Sequence, residues 1–264
     1  MRKPTAIVLF AFLLGIAATC SAQSAEELKD SISAKESLRI DGVIENQKNL
    51  SLIQELEKCG NLNLKKEDYE DFLNSVKLLA PQTTLLILVD KTHSVGTNFD
   101  KIQYELFNGE PRLKMTPETL KAFKTMAAAA RKDGIKIWPV STHRTYTYQK
   151  GLFDRSVKRN GIEHANKYSA KPGHSQHHLG TAVDINSVEN SFAYTKEAAW
   201  LAENAGKYGF SLSFPKGAEE ITGYAYEAWH FRYIGTDAVK MQDNYFGGSQ
   251  QKFLEFMHKC VFKK

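Results

Sequence analysis

Two short stretches of this chain concentrate side chains able to hold a cation. The first is Ser175-Gln176-His177-His178-Leu179-Gly180-Thr181-Ala182-Val183-Asp184, and the second is Glu227-Ala228-Trp229-His230-Phe231-Arg232. A catalytic zinc takes three protein ligands, commonly imidazole nitrogens and carboxylate oxygens, and keeps a fourth position open. His177, Asp184 and His230 make such a set. Glu227, three positions before His230, is then a spare carboxylate able to take a proton from water on the metal, as the glutamate of H-E-x-x-H does on a helix. The geometry here is not that of one helix face. His177 and Asp184 are seven positions apart with Gly180 between them, which suits a turn leading into a short buried strand over 181–185.

Each residue alone has an ordinary explanation. A lone histidine is more often a surface or hydrogen-bonded residue than a ligand, and an aspartate in an apolar strand can cap a neighbouring turn. The run Ala182-Val183-Asp184-Ile185 sharpens the choice. An unpaired carboxylate buried there costs on the order of several kcal/mol, so a cation must face it. Zinc is one candidate and an arginine, such as Arg144, is the other.

The pattern S-x-H-x-x-G-x-A-x-D followed by E-x-W-H-x-R-Y resembles the zinc D-alanyl-D-alanine carboxypeptidases of the VanY type, relatives of the VanX dipeptidases among the LAS metallopeptidases. The likeness extends over about 85–237 and includes Leu88-Val89-Asp90-Lys91, Ser141-Thr142-His143-Arg144-Thr145-Tyr146 with Gln149, and Trp229-His230-Phe231-Arg232-Tyr233. It implies that His177, Asp184 and His230 are the zinc ligands, Glu227 the catalytic base and Arg144 the substrate arginine, with Gln149 and Ser175 lining the substrate pocket. Ala228 stands where many members have proline, and Thr142-His143 replaces a common Gly-Tyr.

Other elements must position these residues. Ile135–Val140 reads as a strand that delivers Ser141–Thr145 at its end, and a helical pattern over 146–159, closed by Gly161, puts Gln149 one turn beyond Arg144. In 228–233 alternation sets His230 and Arg232 on one face and Trp229, Phe231 and Tyr233 on the other. The apolar run Thr83–Val89 reads as a strand covered on both faces. Further helices are expected at 116–134, 192–208 (Ala198, Leu201, Ala202 and Ala205 inward) and 249–259, and a strand at 210–214. Short strands interleaved with helices, lacking a long βαβ rhythm, predict an α+β fold. It would have a small, largely antiparallel sheet with packed helices, preceded by a helical N-terminal segment.

The chain opens with Met1-Arg2-Lys3, an apolar run from Ala6 to Ala18 and small residues to Ala25, the pattern of a secretory signal peptide. The run is shorter than the roughly 20 residues of a membrane span. Cys20 offers a lipid-anchor alternative, although Ala17-Ala18-Thr19 matches the usual lipobox poorly. The expected organisation is a leader over 1–25, a helical segment over 26–80, broken near Asn61, and the zinc domain over 81–264. With Cys20 removed, Cys59 and Cys260 are left and can pair in an oxidising compartment. Loss of Arg2 and Lys3 with no acid takes the formal net charge from +5 to +3, and the scattered basic residues give no nucleic-acid footprint. The resemblance implies a secreted or periplasmic zinc carboxypeptidase that removes a terminal D-amino acid from peptidoglycan stem peptides. An L,D-carboxypeptidase acting on tetrapeptides and a non-catalytic wall-binding protein are the alternatives. A mere binder has no need of Glu227.

Overall fold

The computed structural model of the chain describes residues 22–262. The expected leader up to residue 21, with Cys20, lies outside the described residues. The chain divides into two compact units, Met1–Glu55 and Leu56–Lys264. The first holds most of helix α1, Ala22–Gly60, the longer of the helices expected on the two sides of Asn61. No proline interrupts it, and its end coincides with the expected break: Asn61 takes φ of 51°. Among the described residues no helix is long and apolar enough to cross a membrane.

The second unit begins with the end of α1 and continues through α2 (Tyr69–Leu79), which buries Phe72, Leu73, Val76 and Leu79 along one stripe. There follow the two-stranded pair β1 (Glu105–Leu106) and β2 (Lys114–Met115), helix α3 (Pro117–Lys132), strand β3 (Pro139–Ser141), and helices α4 (Tyr146–Asn160) and α5 (Ile162–Tyr168). Strand β4 (Ala182–Ile185), helix α6 (Lys196–Asn204), strand β5 (Phe210–Leu212), the short helix α7 (Glu219–Thr222), strand β6 (His230–Tyr233) and helices α8 (Thr236–Tyr245) and α9 (Gln250–Phe256) complete it. The main sheet is antiparallel in the order β3-β4-β6-β5. This is the α+β architecture expected from the sequence. Pro139 sits on edge strand β3, where a missing ladder donor is tolerated.

Side-chain alternation sorts the sheet into two faces. Val183 and Ile185 of β4, Phe210 of β5 and Phe231 of β6 join one core with Leu120, Phe123 and Met126 of α3 and Leu201 of α6. Asp184 and His230, directly paired across β4 and β6, lie on the opposite face. Antiparallel partners of this kind hold their Cβ atoms about 4.5–5.5 Å apart, close enough for one ion.

Several boundaries differ from the sequence pattern. Thr83–Val89 is not a strand: it makes a turn and an extended segment without sheet partners. Leu86, Leu88 and Val89 are buried as an apolar run predicts, but the carbonyls of Leu85 and Ile87 accept hydrogen bonds from Arg232 Nη2, each at 2.9 Å. A buried guanidinium thus replaces a neighbouring strand, as buried carbonyls require some donor. The 192–208 helix is split into a turn, α6 and a second turn, with Thr195 capping α6 through its side chain, and Ala202 is exposed. The final helix is shorter than expected and passes into a wider helical turn at Met257–Phe262.

The terminal parts of the second unit are joined. The Phe72 ring meets Tyr245 of α8 at 5.0 Å and Phe256 of α9 at 5.8 Å, and a disulfide links Cys59 to Cys260, whose Cα atoms are 5.9 Å apart. Closing a loop of 201 residues restricts the unfolded chain, and reduction is expected to lower stability by about 2–4 kcal/mol. Denaturant unfolding with and without reductant measures the difference. Peptide mapping of unreduced protein should recover Cys59 and Cys260 as one linked species, and recovery of both as free thiols would refute the link.

Candidate metal centre

The site is assembled by three local devices. A tight turn, Gln176–Leu179, precedes β4 and is capped by Ser175, whose Oγ accepts from His177 N at 3.3 Å. Gly180 ends this turn in the left-handed region (φ 67°), and a Cβ there would collide with the Tyr104 ring. The chain can therefore reverse into β4 only with glycine at this position. Sheet register does the rest, placing Ser141 and His230 on the two sides of Asp184.

Within this frame three acceptors face one another. His177 Nε2 lies 3.2 Å from Asp184 Oδ2, and His230 Nδ1 lies 3.1 Å from Asp184 Oδ1. Hydrogen bonds on the far sides of the rings decide where the ring protons are. His177 Nδ1 donates to the Thr142 carbonyl at 2.7 Å, so Nε2 keeps its lone pair; that nitrogen is buried without a hydrogen-bond partner. His230 Nε2 lies 3.2 Å from Gln176 Oε1. Gln176 is held in this orientation because its Oε1 accepts from Ser213 Oγ at 2.7 Å while its Nε2 donates to Gln250 Oε1 at 3.1 Å. The His230 proton thus belongs on Nε2, and the Nδ1 lone pair points at Asp184. Donor atoms from His177, Asp184 and His230 all lie within 4.8 Å of one another.

The charge states suit a cation. Burial, assisted by Arg144, pushes His177 down to about 4, which keeps its imidazole neutral. Burial opposes charge on Asp184, but the Arg144 guanidinium outweighs it and helps to hold the carboxyl well below the usual range. Unprotonated imidazole and ionised carboxylate are the ligand forms a divalent metal needs. An orphaned buried nitrogen beside a carboxylate oxygen fits zinc better than any internal hydrogen bond, and imidazole with carboxylate is a normal donor set for it.

The other predicted residues surround the same cavity of about 330 Å³, which Arg144, Gln149, Ser175 and Glu227 line together with the three candidate ligands. A Glu227 oxygen stands 3.5 Å from His230 Nδ1, and burial pushes its carboxyl up to about 7. Arg144 Nη2 donates to Asp184 Oδ2 at 2.6 Å and its Nε donates to Ser141 Oγ at 3.0 Å. Arginine is therefore a partner of Asp184 as well, and the two cations considered from the sequence converge on one carboxylate. Gln149 donates to the Ala170 carbonyl at 2.8 Å, leaving its buried Oε1 without a partner. His178 turns away: its Nδ1 donates to the Arg144 carbonyl at 2.7 Å and its Nε2 accepts from Gly173 N at 3.0 Å.

Sequence reasoning missed Ser141, Thr142, Gln176 and His178 as positioning residues. Their only sequence signal is adjacency to the motifs, since a backbone carbonyl or an amide acting as a brace has no pattern of its own. Conserving the role of a metal-binding histidine requires that its second nitrogen be occupied, and Thr142 and Gln176 do this here.

Asp184 and His230 on a small antiparallel sheet, His177 on the turn before β4 and Glu227 nearby make the kind of donor set that metal-dependent hydrolases use. A family profile described as VanY, D-alanyl-D-alanine carboxypeptidase, matches residues 112–236. YodJ of Bacillus subtilis strain 168, named as a carboxypeptidase, is 31% identical over 87% of this chain and 88% of its own length. The LD-carboxypeptidase LdcB has a solved structure that is 32% identical with a TM-score of 0.57, covering 65% of this chain and 86% of its own. A mutant of the D,D-pentapeptidase VanY in complex with Zn(II) is 29% identical with a TM-score of 0.56, covering 65% and 99%. The chain belongs to the VanY family of zinc-dependent D-alanyl-D-alanine carboxypeptidases.

Replacing His177, Asp184 or His230 with alanine is expected to abolish stoichiometric zinc, because two remaining ligands leave an incomplete site. His178→Ala should retain zinc, as both of its nitrogens bond to backbone. Metal content by mass spectrometry of purified variants checks this. Zinc lost from His178→Ala and kept by His177→Ala would reverse the assignment.

Proposed function

We propose that the chain removes the C-terminal D-alanine from peptidoglycan stem peptides outside the cytoplasm, with His177, Asp184 and His230 holding the zinc. The observation that carries this reading is the convergence of three lone-pair donors with Glu227 and Arg144 in one cavity. Zinc bound there supplies a Lewis acid and a water that ionises near neutral pH. Glu227 takes the water proton at its carboxylate and passes it to the leaving amine, so that one group serves as base and then as acid. Arg144, tethered by Ser141 and Asp184, holds the terminal carboxylate of the substrate or the developing oxyanion, tasks that suit a planar, two-pronged donor. Gln149 Oε1, buried and unpaired, accepts a hydrogen bond from the substrate, and Ser175 shapes the same wall. The domain limits accompany this reading: a leader over 1–25, a helical segment over 26–80 and the catalytic domain over 81–264.

A second reading has its own support. The likeness to LdcB favours cleavage of an L,D bond in a tetrapeptide, because the metal and base would serve both reactions and only the pocket walls would differ. Measuring D-alanine release from defined pentapeptides and tetrapeptides separates the two.

Glu227→Gln keeps size and hydrogen bonding but removes the base. Zinc content should stay near one per chain while kcat falls by about 10²–10⁴-fold or more. If Glu227 merely braced His230, the change would weaken zinc binding by roughly 10–100-fold and saturating zinc would restore the rate. Restoration of near wild-type turnover by excess zinc would therefore refute the assigned base.

A further inference from the structure

Beside the metal cavity lies a second one of about 430 Å³, lined by Lys91, Glu163, Asn166, Lys167, Lys171, His174, Gly223 and Tyr224. His174 and Tyr224 line both cavities, so the two are neighbours that meet at these side chains. Arg144 instead lines the metal cavity together with a third groove that shares no residue with the lysine cavity. The metal cavity thus has an arginine end and a lysine end.

Three lysines against one glutamate make the second cavity basic, and the only carboxylate with a marked pull on Lys91 is Glu227, which forms no ion-pair contact with it. Among the described residues no carboxylate lies within ion-pair distance of Lys91, Lys167 or Lys171. Lys91 is half-buried, with its ammonium 3.5 Å from the centre of the Tyr224 ring and donating to the Asn166 carbonyl. Burial, with repulsion from Lys171, pushes Lys91 down to about 8. Desolvated charge of this kind is unfavourable until an anion joins it. Tyr224 adds a second unmet group: it is 5% exposed and its hydroxyl has no hydrogen-bond partner.

We propose that the Lys91–Lys167–Lys171 cavity is a subsite for a free carboxylate carried by the peptide upstream of the scissile bond. The inference rests on the carboxypeptidase reading for the peptide's direction: with the terminal carboxylate at the Arg144 end, the rest of the chain leaves toward His174 and Tyr224. An acidic residue on that part of the peptide meets the ammonium groups of the three lysines beside the Tyr224 ring. The enzyme then selects peptides by charge away from the bond it cuts, and the selection weakens as salt screens the exposed Lys167 and Lys171.

The test compares a D-alanine-terminated peptide bearing a free upstream carboxylate with its amidated counterpart, on zinc-loaded protein. The ratio of kcat/KM between the two is read for turnover, and the ratio of Kd by titration calorimetry for binding. Both ratios should favour the carboxylate peptide by about three- to tenfold, as partly exposed ion pairs allow, and fall toward one in Lys167→Gln/Lys171→Gln and at raised ionic strength. Equal Kd values for the two peptides, or a ratio unmoved in the double variant, overturn the subsite. Absence of D-alanine release from both peptides overturns the carboxypeptidase reading alone, because the Kd ratio still decides the subsite.

Discussion

The structure depends on one local conflict: lone pairs on His177 and His230 are turned toward an ionised Asp184 inside a buried pocket. Such an arrangement is repulsive by itself and becomes favourable when a cation lies at the meeting point. The protein does not relieve the conflict by reorienting the rings, because each ring is anchored from behind. The Thr142 carbonyl holds the proton of His177 on Nδ1, and Gln176 holds that of His230 on Nε2. Arg144 reaches one Asp184 oxygen and neutralises part of the charge, while the His177 nitrogen remains unpaired.

The anchoring reaches far beyond the pocket. Gln176 is fixed by Ser213 and Gln250, and Gln250 in turn donates to the Ser211 carbonyl at 3.2 Å, which brings α9 into the support of the candidate ligand His230. The helical turn that follows α9 carries Cys260, joined to Cys59 at the end of α1. Hydrogen bonds therefore run from His230 to the start of α9, and the helix itself continues to the disulfide. Buried hydrogen-bond networks of this type favour one arrangement, since breaking a member leaves an unpaired polar group in a dry place.

Sheet register gives the second constraint. Asp184 and His230 are opposite each other across β4 and β6, and a slip by one residue would turn both into the apolar core occupied by Val183, Ile185 and Phe231. The same alternation carries Arg232, two positions along β6, to the Leu85 and Ile87 carbonyls. One face of a four-residue strand therefore carries a candidate ligand at one position and fastens a distant segment two positions later.

What the sequence determined by itself was chemical type and local period. Two histidines, an aspartate and a glutamate were legible as a metal set because ligand chemistry is confined to few side chains. The alternation over 228–233 correctly placed His230 and Arg232 together because strand geometry is local. Hydropathy also marked Thr83–Val89 as buried, but not its partner: an apolar run reports removal from water, not which donor meets its carbonyls, and that donor, Arg232, lies 145 positions beyond Ile87. Only tertiary structure could decide that contact, the pairing of Cys59 with Cys260 across 201 positions, and the use of Gln176 and Thr142 to orient imidazoles. Each is a long-range or backbone-mediated interaction, and such interactions have no periodicity to betray them because they exist only once the chain has closed on itself.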